Sequence, residues 1–350
     1  MTMRVIRLVA LAMVALVSAC GGGAHPQSQP TLQGGVMTEE FLVDAKDDGV
    51  RLFIRNKRPA EYYNFRPEKT VLFLHGATFA GHSTFDLALD GTSWMDWMAR
   101  RGYDVYALDI RGYGKSTRPD AMGRPADQSE PLVDSATALR DVSKAVDFIT
   151  SRRNLQKLVL VGWSWGGTLA GQYATSASER VERLVLVGPQ WLRDQPAPAD
   201  MKLGAWRGVP LAQAQERWLK AVPAAEQREL VPAHWLKAFA DANQASDPDG
   251  ARMDPPVLRA PNGVAADALK TWAVGVPAWH PEKVSSPTLV VQGEWDSDNP
   301  PAMGLGVFSR LAHAPQRRYL LIGEGSHMLM LEKNREHLFR AVQAFLEERL

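Results

Sequence analysis

One cysteine in 350 residues, Cys20, leaves no partner for an intramolecular disulfide, so this fold is not held by one. No HxH, HExxH or CxxC spacing occurs among the eight histidines and the lone cysteine, so no metal site and no cofactor are implied. Charge of one sign is lacking too. Lys plus Arg (40) balances Asp plus Glu (39) to a net +1, and no field draws the chain to nucleic acid or to an acidic partner. The Arg152-Arg153 and Arg317-Arg318 pairs stand isolated and are read as solvated. No stretch after the first twenty residues is long and apolar enough for a transmembrane helix, and no internal repeat is visible. What is plentiful is core: 45% of residues are hydrophobic, enough for one large α/β domain with an insertion. The expected partner is a small-molecule substrate.

The N-terminus differs from the rest. Arg4 and Arg7 precede an apolar run over 8–17 that is too short to span a bilayer stably. Residues 1–19 therefore read as an export signal peptide. Its end, Val17-Ser18-Ala19-Cys20, resembles the lipobox of bacterial lipoproteins, where cleavage precedes the cysteine and the thiol is lipidated. An ordinary secretory signal with an incidental cysteine is the alternative. The resemblance implies that Cys20 carries the lipid and that the membrane is touched only through this anchor. Glycine after the cysteine implies the outer membrane, facing the periplasm or cell surface. Residues 20–35, rich in Gly, Pro, Gln and Ser, are expected to be a flexible tether with a reach of roughly 20 Å.

From residue 36 strands alternate with helices. Residues 39–44 and 50–55 flank Asp47-Asp48-Gly49 as a hairpin. The runs 70–74 (TVLFL), 158–161 (LVLV) and 183–187 (RLVLV) read as buried strands, and 103–108 (YDVYAL), 288–291 (TLVV) and 318–322 as further strands. Helices are expected over 93–101, 131–150, 168–177, 302–312 and 327–350. This order predicts a mostly parallel sheet with helices on both faces, built from 36–188 and 284–350. Residues 189–283 break the alternation, show no clear strand and carry Pro and Asp-Pro breaks, so they are expected to be an inserted helical cap.

Gly162-Trp163-Ser164-Trp165-Gly166 sits between a strand and a helix. A Gly-x-Ser-x-Gly there reads as a turn so sharp that only glycines leave room for the flanking backbone, with the Ser164 hydroxyl lifted out of the sheet. A serine hydroxyl is a poor nucleophile without a base in hydrogen-bonding reach and a third group orienting that base. In α/β sheets such groups gather in loops at the carboxyl ends of strands. Asp296 lies in the loop after TLVV, and His327 after the last strand, at the expected start of the final helix. Three other carboxylates compete with Asp296. Asp298 reads as a cap for the helix near Pro300, Asp194 lies in a Pro-rich stretch with nothing to fix it, and Asp109 belongs to a DxRGYGxS loop that looks structural. His75 reads as part of a His-Gly turn, whereas His82, near that turn, is a candidate substrate contact.

The segments LFLHGATFAG, YDVYALDIRGYGKS, LVLVGWSWGGTLAG, TLVVQGEWD and IGEGSHMLMLE extend from residue 71 to 332. Together they make the chain resemble an α/β-hydrolase-fold serine hydrolase of the capped esterase and proline-iminopeptidase-like group. The order Ser164, Asp296, His327 is that fold's triad order. The resemblance implies Ser164 as nucleophile, His327 as the base that takes its proton and later protonates the leaving group, and Asp296 as the group that holds the histidine tautomer. It also implies an oxyanion hole from the backbone N–H of Trp165 and a second N–H after His75-Gly76. Ala77 is expected for the second, although the sequence does not separate it from Thr78. One such donor is worth about 3–4 kcal/mol in the transition state.

Six of the eleven tryptophans (191, 206, 218, 235, 272 and 279) fall in the expected cap. Trp163, Trp165 and Trp295 flank the nucleophile and the acid. This distribution predicts an apolar, aromatic-lined pocket with Trp163 and Trp295 as substrate contacts and Trp165 lining it from the turn, against the alternative that the cap tryptophans merely pack helices. Carboxylic esters with a hydrophobic acyl or aryl part are the expected substrates. Aminopeptidase activity of proline-iminopeptidase type is a rival, but that group favours HGGPG where this chain has His75-Gly76-Ala77-Thr78-Phe79, and only Glu294 hints at an amine site. Carbon–carbon bond hydrolysis or lactonase activity is open on the same residues. A non-catalytic binding lipoprotein is the reading from another class, and no Arg or Lys is assigned to a carboxylate site.

Overall fold

A computed structural model describes residues 24–193 and 202–349. The expected signal 1–19, Cys20 and Asp194 lie outside the described residues. The strands are β1 (Ala24–Pro26), β2 (Thr31–Gln33), β3 (Val36–Asp44), β4 (Arg51–Pro59), β5 (Thr70–Leu74), β6 (Asp104–Asp109), β7 (Leu158–Trp163), β8 (Val181–Val187), β9 (Trp206–Val209), β10 (Leu258–Pro261), β11 (Thr288–Gly293) and β12 (Arg317–Ile322). The main sheet runs β1-β3-β4-β6-β5-β7-β8-β11-β12, with β2 also on β3. Pairing is parallel from β6 through β12 and antiparallel among β1 to β4 and between β4 and β6.

The helices are α1 (Gly81–Phe85), α2 (Trp94–Ala99), α3 (Ser135–Arg153), α4 (Trp165–Ser176), α5 (Leu211–Leu219), α6 (Gln227–Leu230), α7 (Ala233–Ser246), α8 (Pro248–Ala251), α9 (Gly263–Lys270), α10 (Pro301–Arg310) and α11 (Arg335–Glu347). Alternate strand residues feed opposite faces, which is why the strands read as unbroken apolar runs. Val71, Phe73, Val159 and Val161 pack with Met98 of α2 and Phe339 of α11. Leu72, Leu74, Leu158 and Leu160 pack with Val142 of α3, Leu169 of α4 and Val307 of α10. Local chemistry sets helix ends: Ser93 and Asp96 form a capping box on α2, and Asp134 accepts from the Thr137 N–H at 2.8 Å to start α3.

Three expectations are corrected. Within 20–35, expected as a flexible tether, β1 and β2 run antiparallel to β3 and cover an edge whose backbone groups would otherwise be unpaired. The cap is not purely helical, because β9 and β10 form an antiparallel ribbon. Gly208, Pro210 and Pro261 disfavour helix there, and pairing satisfies the extended backbone instead. The last helix begins at Arg335 and not at His327. Met328 to Leu331 are four consecutive buried residues, a pattern no single helix face provides, and they form a tight turn.

Candidate active site

Ser164 follows β7 and precedes α4, with φ 56° and ψ −121°, a backbone state that costs a non-glycine residue on the order of 1–3 kcal/mol. Its neighbours make that state possible. A Cβ at Gly162 would collide with the Gly166 carbonyl, and one at Gly166 would stand 2.7 Å from the His75 oxygen. The Ser164 N–H donates to the Val187 carbonyl at 2.9 Å and locks the turn to β8. Trp165 is the first residue of α4, so its N–H has no acceptor within the helix. The His75-Gly76 turn approaches from β5, and a Cβ at Gly76 would stand 3.2 Å from that of Ser164.

Beyond that turn, the Ala77 carbonyl accepts from the Tyr113 hydroxyl at 3.0 Å and from Arg207 Nη2 at 2.6 Å. These bonds fix the Ala77–Thr78 segment, and both residues line the same cavity as Ser164. His75 itself is buried and structural. Its Nε2 accepts from the Ile110 N–H at 3.1 Å and its Nδ1 contacts the Gly76 carbonyl at 2.7 Å, while burial lowers its pKa.

Asp296 and His327 come together from the loops after β11 and β12. His327 Nδ1 donates to Asp296 Oδ2 at 2.8 Å, both side chains being buried. The other oxygen of Asp296 takes the N–H groups of Asp298 (3.0 Å) and Asn299 (2.8 Å), and Gln292 Nε2 adds a bond to Oδ2 at 2.9 Å. Burial works to lower the His327 pKa, but the adjacent Asp296 carboxylate, helped by the Asp298 charge, outweighs it and the pKa stands above the ordinary value. Trp163 supports the same histidine, its indole N–H donating to the His327 carbonyl at 2.8 Å.

Sequence reasoning missed several supports. Asn299 donates to the Gly188 carbonyl at 2.8 Å and reaches Ser164 Oγ at 3.4 Å. Glu332 accepts the Ser326 N–H at 3.1 Å, the Ser326 hydroxyl, and Nε1 of Trp218 in the cap at 2.8 Å. It thereby ties the His327 loop to α5, and burial raises its pKa. Nothing in a lone glutamate six residues after a serine signals this. Gly188 carries φ 49°, and a Cβ there would stand 2.9 Å from Asp296 Oδ2 and 3.3 Å from His327 Nδ1. Gly188→Ala is therefore expected to displace this pair and to lower about 100-fold any turnover that depends on it. A denaturant melt should also show about 1–2 kcal/mol of lost stability from the strained backbone.

Other sequence candidates lie elsewhere. Trp165 is fully buried and points away from the cavity, its Nε1 donating to Ser135 Oγ at 3.1 Å, because a side chain at the first position of α4 projects onto α3. Trp295 packs on the core and is not among the described cavity-lining residues, whereas Trp163 is. His82 turns to Asp109, donating through both its backbone N–H (3.0 Å) and Nδ1 (2.7 Å). Although burial acts to raise the Asp109 pKa, His82 and the Lys115 N–H bring it down to about 2, and this buried carboxylate ties down the DxRGYGxS loop. Asp298 does not cap α10. It takes Nε of Arg217 at 2.7 Å. Of the cap tryptophans, Trp218 and Trp272 line the cavity, while Trp279 packs over Gly171.

The cavity holds about 260 Å³ between the sheet and the cap. Phe79, Trp163, Val264, Trp272 and Met328 give it apolar walls, and Ser164 and His327 both open into it. Among the described residues no cluster of three or more His, Cys, Asp or Glu side chains is arranged to hold a metal ion.

A family model described as the alpha/beta hydrolase fold matches residues 69–334. Among curated proteins the chain is similar to the abhydrolase domain-containing protein abhd-5.2 of Caenorhabditis elegans, 38% identical over 85 residues, covering 24% of this chain and 17% of that one. It is also similar to the 1-acylglycerol-3-phosphate O-acyltransferase ABHD5 of Rattus norvegicus, 28% identical over 163 residues, covering 47% and 38%. The match thus spans well under half the length of either relative. Among solved structures, a membrane phospholipase A described as a bacterial virulence factor superposes with a TM-score of 0.56 at 18% identity, over 89% of this chain and 86% of that one. A thermophilic esterase from Thermogutta terrifontis gives 0.53 at 18% identity, over 88% and 97%. At such identities the likeness concerns the fold.

Proposed function

The chain belongs to the α/β-hydrolase fold family, and from that premise we propose that it is a serine hydrolase cleaving carboxylic esters with an apolar part. The observation that carries this reading is one cavity into which both the strained Ser164 and His327 open, with His327 held by Asp296 at 2.8 Å. In the reaction, Ser164 Oγ bonds to the ester carbonyl carbon while His327 Nε2 takes the hydroxyl proton. The N–H groups of Trp165 and of Ala77 stabilise the oxyanion as it forms. Collapse breaks the bond to the alcohol oxygen, which leaves with the proton held by His327. Water then attacks the acyl-enzyme, His327 takes the water's proton, and the acid departs as that proton returns to Ser164.

Aminopeptidase activity is disfavoured by the charge of the site. Glu294 is exposed and accepts the Glu324 N–H at 3.0 Å instead of facing the cavity, and Asp298 is engaged by Arg217. The names of the curated relatives support including an alcohol as acyl acceptor beside water in any assay. The direct test is a fluorophosphonate probe followed by peptide mapping. The expected outcome is one label, on Ser164 of folded protein. An unlabelled Ser164 under conditions where a control serine hydrolase reacts would sink the proposal.

A further inference from the structure

The cavity walls mix apolar side chains with polar and charged ones. Arg193, Arg207 and Arg217 line it together with one carboxylate, Asp298, among the described residues. That carboxylate is taken by Arg217. Arg207 and Arg193 remain without a carboxylate partner among the described residues.

Arg207 is the more telling. It projects from β9 in the cap and is held by neutral oxygens. Nη1 donates to the Pro261 carbonyl at 2.7 Å and to Asn262 Oδ1 at 3.3 Å, and Nη2 to the Ala77 carbonyl at 2.6 Å and Thr78 Oγ1 at 3.3 Å. These bonds take four of the five guanidinium N–H groups and fix the cation beside the Gly76–Thr78 turn, in the cavity that Ser164 also lines, without neutralising it. Burial lowers its pKa and the cation of Arg217 adds to the effect. A cation withdrawn from water costs free energy unless an anion answers it. One that is also immobilised is preorganised for such an anion. Arg193 lies exposed at the rim and adds a second charge to the same opening.

We propose that the substrate bears an anionic carboxylate or phosphate group besides its apolar acyl part, and that Arg207 and Arg193 receive this group within the catalytic cavity. The proposal rests on the ester-hydrolase reading and narrows it to anionic amphiphiles. Arg207 binds substrate in this scheme and also steadies the oxyanion turn through Ala77, so its loss acts on two quantities. Rates on every ester fall when the turn loosens, and the preference for charged over neutral ester falls separately.

The experiment compares charged and neutral substrates in two arms. With the anion in the acyl part, mono-p-nitrophenyl glutarate is set against p-nitrophenyl butyrate. With the anion in the alcohol part, 1-acylglycerol 3-phosphate is set against the matching monoacylglycerol. The expected result is at least a tenfold preference in kcat/KM for the charged member of one arm, weakening as salt rises. The responding arm distinguishes a carboxylate on the acyl side from a phosphate on the alcohol side. Arg207→Gln and Arg193→Gln should each cut that preference about tenfold, the loss of one charge-assisted hydrogen bond, mainly through KM. Arg193 is exposed, so its variant keeps the test open if Arg207→Gln fails to fold. Equal or better rates on the neutral member in both arms would overturn the inference, and so would a preference that survives both substitutions. Fluorophosphonate labelling of Ser164, scored in the same preparation, separates these outcomes from failure of the hydrolase reading itself.

Discussion

Ser164→Ala is expected to lower kcat/KM for p-nitrophenyl butyrate by about a millionfold, with little change in thermal stability. The size follows from removing the proposed nucleophile, and losses near 10⁶ are what single nucleophile deletions produce in serine hydrolases. The stability expectation follows from the local structure. Alanine keeps the Cβ, so the backbone at φ 56° is no more crowded than before. Among the described residues the hydroxyl takes part in one long hydrogen bond, from Asn299 Nδ2 at 3.4 Å, so its removal strands no strong hydrogen bond. The N–H bond from residue 164 to Val187 is untouched. Binding of a non-hydrolysable ester analogue should persist, because Phe79, Trp163 and Trp272 still wall the cavity. Steady-state rates with a circular dichroism melt test this directly. Activity within tenfold of the parent would mean that another group attacks, and would remove Ser164 from the centre of the scheme.

A feature of this protein is legible in its sequence when the physics that controls it is local. The turn at Ser164 is local, since glycines two residues either side make it possible, and so are the buried strands β5, β7, β8 and β11, whose apolar runs say what they are. The positions of Asp296 and His327 after two such strands follow from the alternation of strands and helices. Side-chain direction does not. Trp165 neighbours Ser164 and so reads as a pocket wall, yet α4 turns it onto Ser135, while Trp163 on the other side enters the cavity and holds the His327 carbonyl. His82 is close in sequence to the right turn but is claimed by Asp109, a partner 27 residues away. Arg207 carries no motif at all. Its importance comes from a short ribbon, β9 with β10, that propensity does not reveal and that sets its guanidinium against the Ala77 carbonyl, 130 residues distant in the chain. A separation of 114 residues likewise hides Glu332, which joins Trp218 of α5 to the Ser326 N–H beside His327. Three contacts tie the segment between β8 and β11 to the loops around Ser164 and His327: Arg207 to Ala77, Arg217 to Asp298 and Trp218 to Glu332.

Asp296→Asn should reduce kcat about 10⁴-fold and move the acid limb of the pH–rate profile in a definite direction. His327 acts as a base only when neutral, so the rate rises as pH climbs through its pKa. In the parent that pKa is raised above the ordinary 6.5: burial pulls it down, but the Asp296 charge and hydrogen bond, with the Asp298 charge, more than offset this. The inflection of the parent therefore lies above 6.5. Asparagine removes the attraction and leaves the burial, so the inflection of the residual activity should fall below that of the parent. An asparagine amide can also offer an N–H where a carboxylate oxygen accepted one, which favours the wrong histidine tautomer and accounts for the large loss. Asp298 offers the discriminating comparison. It is the weaker of the two acidic influences on His327 and is already neutralised in part by Arg217, so Asp298→Asn should shift the limb in the same direction by less. A larger shift from Asp298→Asn than from Asp296→Asn would make Asp298 the orienting carboxylate. The hydrogen bond of 2.8 Å between His327 Nδ1 and Asp296 Oδ2, with the other oxygen of Asp296 already claimed by two backbone N–H groups, is the reason to expect the opposite.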